Sequence, residues 1–491
     1  MVGDARARPA PLQRGRRRTR VDDTRKRTGG GIPAGIAAHA PDTAAVGFEI
    51  LAEGGNAADA AVAATLASCV CESMMTGLAG GGHAINFTAA TGRIDVLDFF
   101  VAVPGLGAEP HHVEPLTVNM VFEDEAVPYD IGPGSVAVPG VPAGCAALSQ
   151  SFGRLPWRRL IEGPLRVARE GSPLPPSQAG ILGMIAPAMT LNEGAAIYAP
   201  QGRLLRSGEK LHQPGLVAAL ELLRDEGAAT FYEGTIARLM LDLLNERGAP
   251  MTERDLREYT VDRTEPQQVR VGDITVTGRR SLGHTLDTLA ALPNLHGTTA
   301  PERAVAFARL LAGRPGRHGD TSNVSVVDAD GNACVVTTSL GLGSSDWLPG
   351  LDIHLNSMLG EHDLISGPLT PGQRVGSMMC PTICVDAEGL TAAAGAAGGS
   401  RIRSAMVQVL SGVLLELVEV DEAVRRPRLH VVGTVVHLEP DYPVDAAEAL
   451  RAEGWVTRVW RSKHHFFGGV SVVARRGACG EPRRDGAALM L

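Results

Sequence analysis

Apolar residues recur at three- and four-residue spacing over 42–53, with Asp42 as N-cap candidate and Gly54-Gly55 as the stop, which predicts a helix. Asn56 then caps a second helix reaching about residue 70. That helix is alanine-rich nearly all round, and a helix apolar on every side is a buried one. The run Thr76-Gly77-Leu78-Ala79-Gly80-Gly81-Gly82-His83 leads into a strand over 84–87, a turn at Thr91-Gly92 and a strand over 94–100. Its glycines read as a tight strand-entry loop, because they lack the lysine and the strand-to-helix setting of a phosphate loop. Between 155 and 289 the pattern is mostly helical, as at 157–170, 214–226 and 234–248. From Thr321 the period shortens: 325–327, the turn Asp328-Ala329-Asp330-Gly331-Asn332 and 333–340 form a predicted hairpin. Further strands are predicted at 381–385, 431–438, 456–460 and 469–474, and helices at 400–417 and 444–453.

A chain of 491 residues buries a large core, arranged as several domains of roughly 150 residues or as one large α/β domain. Its formal charge of -8 conceals an asymmetry. The first thirty residues carry ten Arg or Lys against Asp4, Asp22 and Asp23, so the remainder stands near -15. An acidic body argues against nucleic acid as the main partner, since phosphate binding needs a clustered basic face. The basic start, 1–33, reads as a disordered tail; no apolar segment of roughly 7–15 residues follows the arginines, as a secretion signal would require. No run reaches the roughly 18 apolar residues of a membrane span, and Glu416 interrupts the apolar stretch around 411–418. The expectation is a cytoplasmic protein with no membrane partner.

Seven cysteines form an odd set without a CxxC pair, which is ordinary reduced-thiol usage. Cys69, Cys71 and Cys334 fall in apolar runs and read as buried small hydrophobes. His111-His112 and His464-His465 are adjacent pairs whose side chains diverge on a strand, so no metal site and no cofactor are expected.

Chemistry enters at Gly319-Asp320-Thr321-Ser322-Asn323, which places a threonine at the mouth of a strand after the loop-like Ala312-Gly313-Arg314-Pro315-Gly316-Arg317-His318. Cleavage of the Asp320-Thr321 bond would give Thr321 a hydroxyl nucleophile and a free α-amine, and an amine with a pKa near about 7.7–8.0 can act as its base. Taken alone, a threonine at a strand mouth is more commonly a plain strand former.

From about Gly35 to the end the chain resembles the gamma-glutamyltranspeptidase family of N-terminal-nucleophile hydrolases. The resemblance is carried by Gly54-Gly55-Asn56-Ala57-Ala58-Asp59-Ala60-Ala61, Gly80-Gly81-Gly82, Val136-Ala137-Val138-Pro139-Gly140, Gly153-Arg154-Leu155-Pro156-Trp157 and Phe231-Tyr232-Glu233-Gly234. It continues through the Thr321 block, Gly398-Gly399-Ser400-Arg401-Ile402 and Pro482-Arg483-Arg484-Asp485-Gly486-Ala487, all in the family order.

The resemblance implies an α/β (α+β) fold, a four-layer αββα sandwich, made as a precursor that cuts itself before Thr321. The large chain would be 34–320 and the small chain 321–491, together one domain, with a homodimer of such processed pairs allowed. It also implies that Thr321 takes the acyl group of a small-molecule substrate, that Thr337 and Ser339 support the nucleophile, and that Gly398 and Gly399 form the oxyanion hole. The two-residue spacing of Thr337 and Ser339 puts both on one face of a strand. Backbone donors at side-chain-free residues can approach a tetrahedral intermediate closely.

Departures from the family pattern bear on specificity. Where the family holds the glutamyl α-carboxylate with arginine in a DxRE-type block, this chain has Leu97-Asp98-Phe99-Phe100-Val101, so Phe100 replaces the arginine. The family's serine pair reads Gly376-Ser377, its asparagine after the TxT pair is Gly341, and its expected aspartate falls near Leu359, with Glu361 or Asp363 as stand-ins. A buried carboxylate without its guanidinium loses a bidentate charge-assisted pair, so a γ-glutamyl group fits poorly. The first expectation is therefore an acyl hydrolase or acyltransferase acting on other acyl groups. Alternatives are hydrolytic carbon–carbon cleavage, as in relatives of alkylproline-type antibiotic pathways, a true glutathione-directed gamma-glutamyltransferase, and an uncleaved non-catalytic homologue.

Overall fold

The computed structural model describes residues 31–109, 113–122, 125–312, 321–365 and 367–491. The basic start up to residue 30, the His111-His112 pair, Asp320 and the segment before it lie outside the described residues.

Two antiparallel sheets are stacked between helices. The first runs Ala487–Met490, Gly35–Ala38, Ser322–Val327, Ala333–Ser339, Gly81–Thr88, Arg93–Phe99 and Asp262–Thr264 in spatial order. The second runs Gly477–Cys479, Gly469–Ala474, Gly389–Ala397, Thr382–Asp386, Ile274–Gly278 and Gln267–Val271. Alternation sorts their side chains. Val324, Val326, Cys334 and Val336 enter the core beneath the helices, while Val327, Ala333 and Val335 meet Ile383, Ala393 and Val473 of the second sheet. Ile402, Ala405 and Met406, on the helix Arg401–Ser411, cover the second sheet's outer face. This is the αββα sandwich that the resemblance implies.

The helix Ala57–Cys71 is buried along its whole length, in the middle of the outer layer. Asn56 and Asp59 cap it reciprocally: the Asp59 N–H donates to Asn56 Oδ1 at 3.0 Å and the Asn56 N–H donates to Asp59 Oδ2 at 3.1 Å. Asp59 Oδ2 also accepts from the N–H groups of Arg154 and Leu155 at 3.0 and 3.3 Å, so one carboxylate docks the Gly153–Trp157 block onto the helix. Asp328, in the turn of the predicted hairpin, accepts from the Ala57 N–H at 3.0 Å and fastens that hairpin to the same helix end.

Several elements differ from the pattern. The first helix is Pro41–Ala52 with Ala40 at the N-cap; Asp42 lies in the first turn and accepts from Ser172 Oγ. The stretch 155–289 holds five strands besides helices: Ser172–Pro173 and Lys210–Leu211 are two-residue pieces, Asp262–Thr264 and Gln267–Val271 are polar sheet edges with little apolar signal, and Ile274–Gly278 lies inside the second sheet. The strand predicted at 431–438 is a hairpin, Leu429–Val432 and Val435–Leu438, turned at Gly433 with φ +58°. The helix predicted at 400–417 ends as α-helix at Ser411 and finishes with a π turn over Gly412–Glu416. All seven cysteines are free and buried.

Candidate functional site

The place of Thr321 follows from the two-residue period. In the ladder Ser322 sits opposite Thr338 and Asn323 opposite Thr337. Ser322 Oγ donates to Glu72 Oε2 at 2.7 Å, and Thr76 Oγ1 donates to Thr338 Oγ1 at 2.8 Å, so these residues face the helical layer. Asn323, Ser325 and Thr337 face the gap between the sheets, where Ser325 Oγ donates to the Ser471 carbonyl at 2.9 Å. Thr321, two residues before Asn323, stands at the end of that gap and is 3% exposed.

There it lines a narrow cavity. Ser339, Ser377, Glu361 and the Gly399 backbone form its polar wall; Phe100, Met358, Leu364, Met378, Met379 and Ile402 form the apolar one. In the continuous chain its volume is about 20 Å³, room for roughly one water molecule.

The structure thus brings Thr321, Ser339, Gly399, Phe100 and Ser377 to one wall-to-wall site, and sets the other candidates around it. Thr337 Oγ1 is 2.7 Å from the Asn323 side-chain amide, so Thr337 supports the strand two residues beyond Thr321 and does not line the cavity. Ser339 Oγ accepts from the Gly341 N–H at 3.1 Å. Gly398 and Gly399 turn the chain from strand to helix with φ of +122° and +55°. Among the described residues their N–H groups donate to no turn or loop carbonyl. A Cβ on Gly341 would lie 2.7 Å from Ser357 Oγ and 3.0 Å from Glu361 Oε1, so the glycine admits the glutamate. Of the two carboxylates considered as stand-ins, Glu361 reaches the cavity and Asp363 does not line it. Gly376 is closed off, a Cβ there lying 2.7 Å from Leu282 Cδ1, whereas Ser377 accepts from the Met379 N–H at 3.2 Å.

Phe100 is 1% exposed and stacks on His83 with ring centroids 5.4 Å apart. Burial, reinforced by the charges of Arg279 and Arg374, pushes the His83 imidazole well below its ordinary pKa, so a neutral ring backs the phenyl. On the helical side, Glu72 accepts from Thr43 Oγ1 and Ser322 Oγ, both at 2.7 Å, and burial raises its pKa. Arg484 Nη1 donates to the Thr321 carbonyl at 3.4 Å.

Asn323, Glu72, Arg484 and the Met378-Met379 wall are contributors that the sequence reading did not single out. Asn323 was within reach, since a residue two places after Thr321 on a strand shares its face. Glu72 and the methionines carry no local signal. Among the described residues no three His, Cys, Asp or Glu side chains gather so as to hold a metal ion.

The gamma-glutamyltranspeptidase family profile matches residues 43–310 and 294–491. The chain belongs to the gamma-glutamyltranspeptidase family. Within and around that family, it is 28% identical to the acylase ACY 1 proenzyme of Pseudomonas sp. (strain V22), over 88% of this chain and 88% of that protein. It is 25% identical to the glutathione hydrolase 5 proenzyme of Rattus norvegicus, over 91% and 90% of the two chains. Its fold is similar to the crystal structure of cephalosporin acylase from Bacillus halodurans, with a TM-score of 0.78 at 22% identity over 100% of this chain and 99% of that one. As a member of the gamma-glutamyltranspeptidase family the protein is an enzyme of the N-terminal-nucleophile hydrolase type, acylase- or hydrolase-like in function. Among the described residues no helix is long and apolar enough to cross a membrane.

Proposed function

We propose that this chain is a precursor that cuts itself between Asp320 and Thr321 and then acts as a threonine-nucleophile acyl hydrolase or acyltransferase, on amides whose acyl group is more apolar than γ-glutamyl. The observation that carries the reading is the cavity at Thr321, walled by Phe100 and three methionines where the family pattern has a carboxylate-binding arginine.

In processing, Thr321 Oγ attacks the Asp320 carbonyl, the peptide nitrogen leaves as the Thr321 α-amine, and water hydrolyses the ester so formed. In turnover the α-amine takes the hydroxyl proton as Oγ attacks the substrate carbonyl. The Gly398 and Gly399 N–H groups hold the oxyanion, the amine leaves protonated, and water or an acceptor amine releases the acyl group. Ser339 at the cavity and the Thr337–Asn323 pair behind it keep the hydroxyl oriented. Glu361 supplies a carboxylate acceptor on the polar wall of the acyl site, suited to a donor group on the acyl chain.

Intact mass and denaturing electrophoresis of the protein beside Thr321→Ala test the first step: two chains meeting at Asp320-Thr321 in the parent, one chain in the variant. Anilides of apolar acids against γ-glutamyl anilide test the second. A parent that remains one chain after long incubation overturns the nucleophile assignment and favours an uncleaved binding protein. Preferential turnover of γ-glutamyl anilide overturns the apolar-pocket reading and favours a glutathione-directed enzyme.

Phe100 in place of arginine is also compatible with a second reading, carbon–carbon cleavage of an activated ketone by the same Thr321 attack. A ketone series, with mass detection of the released acid, separates the two.

A further inference from the structure

Behind the cavity lies a partly buried ionic group that the proposed chemistry does not use. Arg279 donates from Nη1 to the carbonyls of Ser377 and Met379, at 3.1 and 3.2 Å, and both of those residues line the cavity. Arg374 donates from Nη1 to the Phe100 carbonyl at 2.5 Å, and its guanidinium lies 4.7 Å over the Tyr259 ring, whose hydroxyl donates to that same carbonyl at 2.8 Å. Between the two stands Asp98, with Oδ2 at 3.8 Å from Arg279 Nη2 and Oδ1 at 3.6 Å from Arg374 Nε. Asp98 Oδ1 also accepts from the Phe100 N–H at 2.9 Å. Each guanidinium therefore grips the backbone of one cavity wall, and a single carboxylate ties the two grips together.

We infer that Arg279 and Arg374, bridged by Asp98, are positioning residues that set the separation of the Phe100 and Ser377–Met379 walls and thereby the acyl length that Thr321 accepts. Backbone carbonyls held by a rigid charged fork have little freedom to shift, and a wall that cannot shift discriminates between acyl chains differing by a few methylenes. The inference rests on the acylase reading above.

The test uses p-nitrophenyl esters of straight-chain acids from acetate to octanoate, with nitrophenolate release and the mass of the acyl adduct on Thr321 as readouts. In Arg279→Met the two carbonyls lose their donors, the wall gives, and the octanoyl-to-acetyl ratio of acylation rises by about tenfold, carried by KM more than by kcat. Arg374→Gln loosens the opposite wall and moves the ratio in the same direction. Arg279→Lys, which keeps a cation and a donor, returns the ratio most of the way to the parental value. A parental chain-length profile in both Arg279→Met and Arg374→Gln overturns the inference, as does an equal loss on every ester. Should Arg279→Met fail to fold, Arg374→Gln and Arg279→Lys decide the matter on the same ratio. An uncut parent without an acyl adduct fails the acylase reading itself, whereas a cut, acylated parent whose profile the variants leave unmoved fails only the clamp.

Discussion

At Gly398 the backbone adopts φ +122°, a conformation closed to L side chains, and a Cβ there would also lie 3.0 Å from Gly468 Cα. Gly398→Ala must therefore rotate the peptide groups proposed to hold the oxyanion. Turnover should fall by about 10²-fold with KM little changed, the usual size for one misplaced oxyanion donor, and steady-state kinetics on the preferred acyl substrate check it. Phe100 gives a second prediction. An arginine there would add a third guanidinium near Arg279 and Arg374, whose shared Asp98 and the Asp262 beside Arg374 are already engaged, so Phe100→Arg should lower the melting temperature and confer no γ-glutamyl anilide activity. A gain of that activity would show that the zwitterion pocket is otherwise intact. At this scale the placing of Thr321 and Ser339 at one cavity was legible because motif and strand period agree on them, and that of Gly399 and Glu361 because the family pattern points to their positions. Arg279 and Arg374 were not, because what recruits them to the site is tertiary: a backbone carbonyl to grip.

Among the elements, the helix Ala57–Cys71 was readable end to end, since Asn56 and Asp59 announce its start and alanine on every face announces its burial. Asp59 is also where that helix meets the Arg154 block, so Asp59→Ala removes the reciprocal half of the capping box and strands the Asn56, Arg154 and Leu155 N–H groups together. The cost should be about 3 kcal/mol in chemical denaturation, more than a cap alone supplies. The helices Trp157–Glu170 and Pro214–Glu226 have the bounds that their periodicity predicts. The strand Gly389–Ala397 escaped notice, because its run of alanine and glycine has poor strand propensity. Those small residues are there for packing: a Cβ on Gly395 would fall 2.1 Å from Asn323 Oδ1, so only glycine lets the second sheet close over the strand that carries Thr321. Gly395→Ala should push that strand out of place and slow cleavage at Thr321, measured as the fraction of uncut chain over time after expression.

For the molecule as a whole, acid should be the first stress to tell. Burial holds His39 and His354 neutral in the fold, with pKa values lowered from 6.5 to about 3. His354 Nε2 accepts from the Ser345 N–H at 3.0 Å, a bond that protonation would break. The unfolded chain takes up these protons as pH falls through about 6.5 while the folded chain does not, so stability is lost on acidification, by up to about 1.4 kcal/mol per pH unit for each histidine between roughly 6.5 and 3. Denaturant titrations at pH 7.5, 6.5 and 5.5 check the slope; a flat profile would mean that these rings are hydrated and titrate normally.

The strand order of the first sheet reaches beyond the site. Gly35–Ala38, from the early part of the chain, is paired on one side with Ser322–Val327 and on the other with Ala487–Met490, and Ala333–Ser339 is paired with Gly81–Thr88. In the second sheet Ile274–Gly278 is paired with Thr382–Asp386. A break before Thr321 would therefore leave two polypeptides interleaved strand by strand in the first sheet and joined along one further ladder in the second. Dilution would not separate them, and neither would exist alone as a folded body. The severed peptide bond would be mechanically idle, and the two chains would part only by unfolding together.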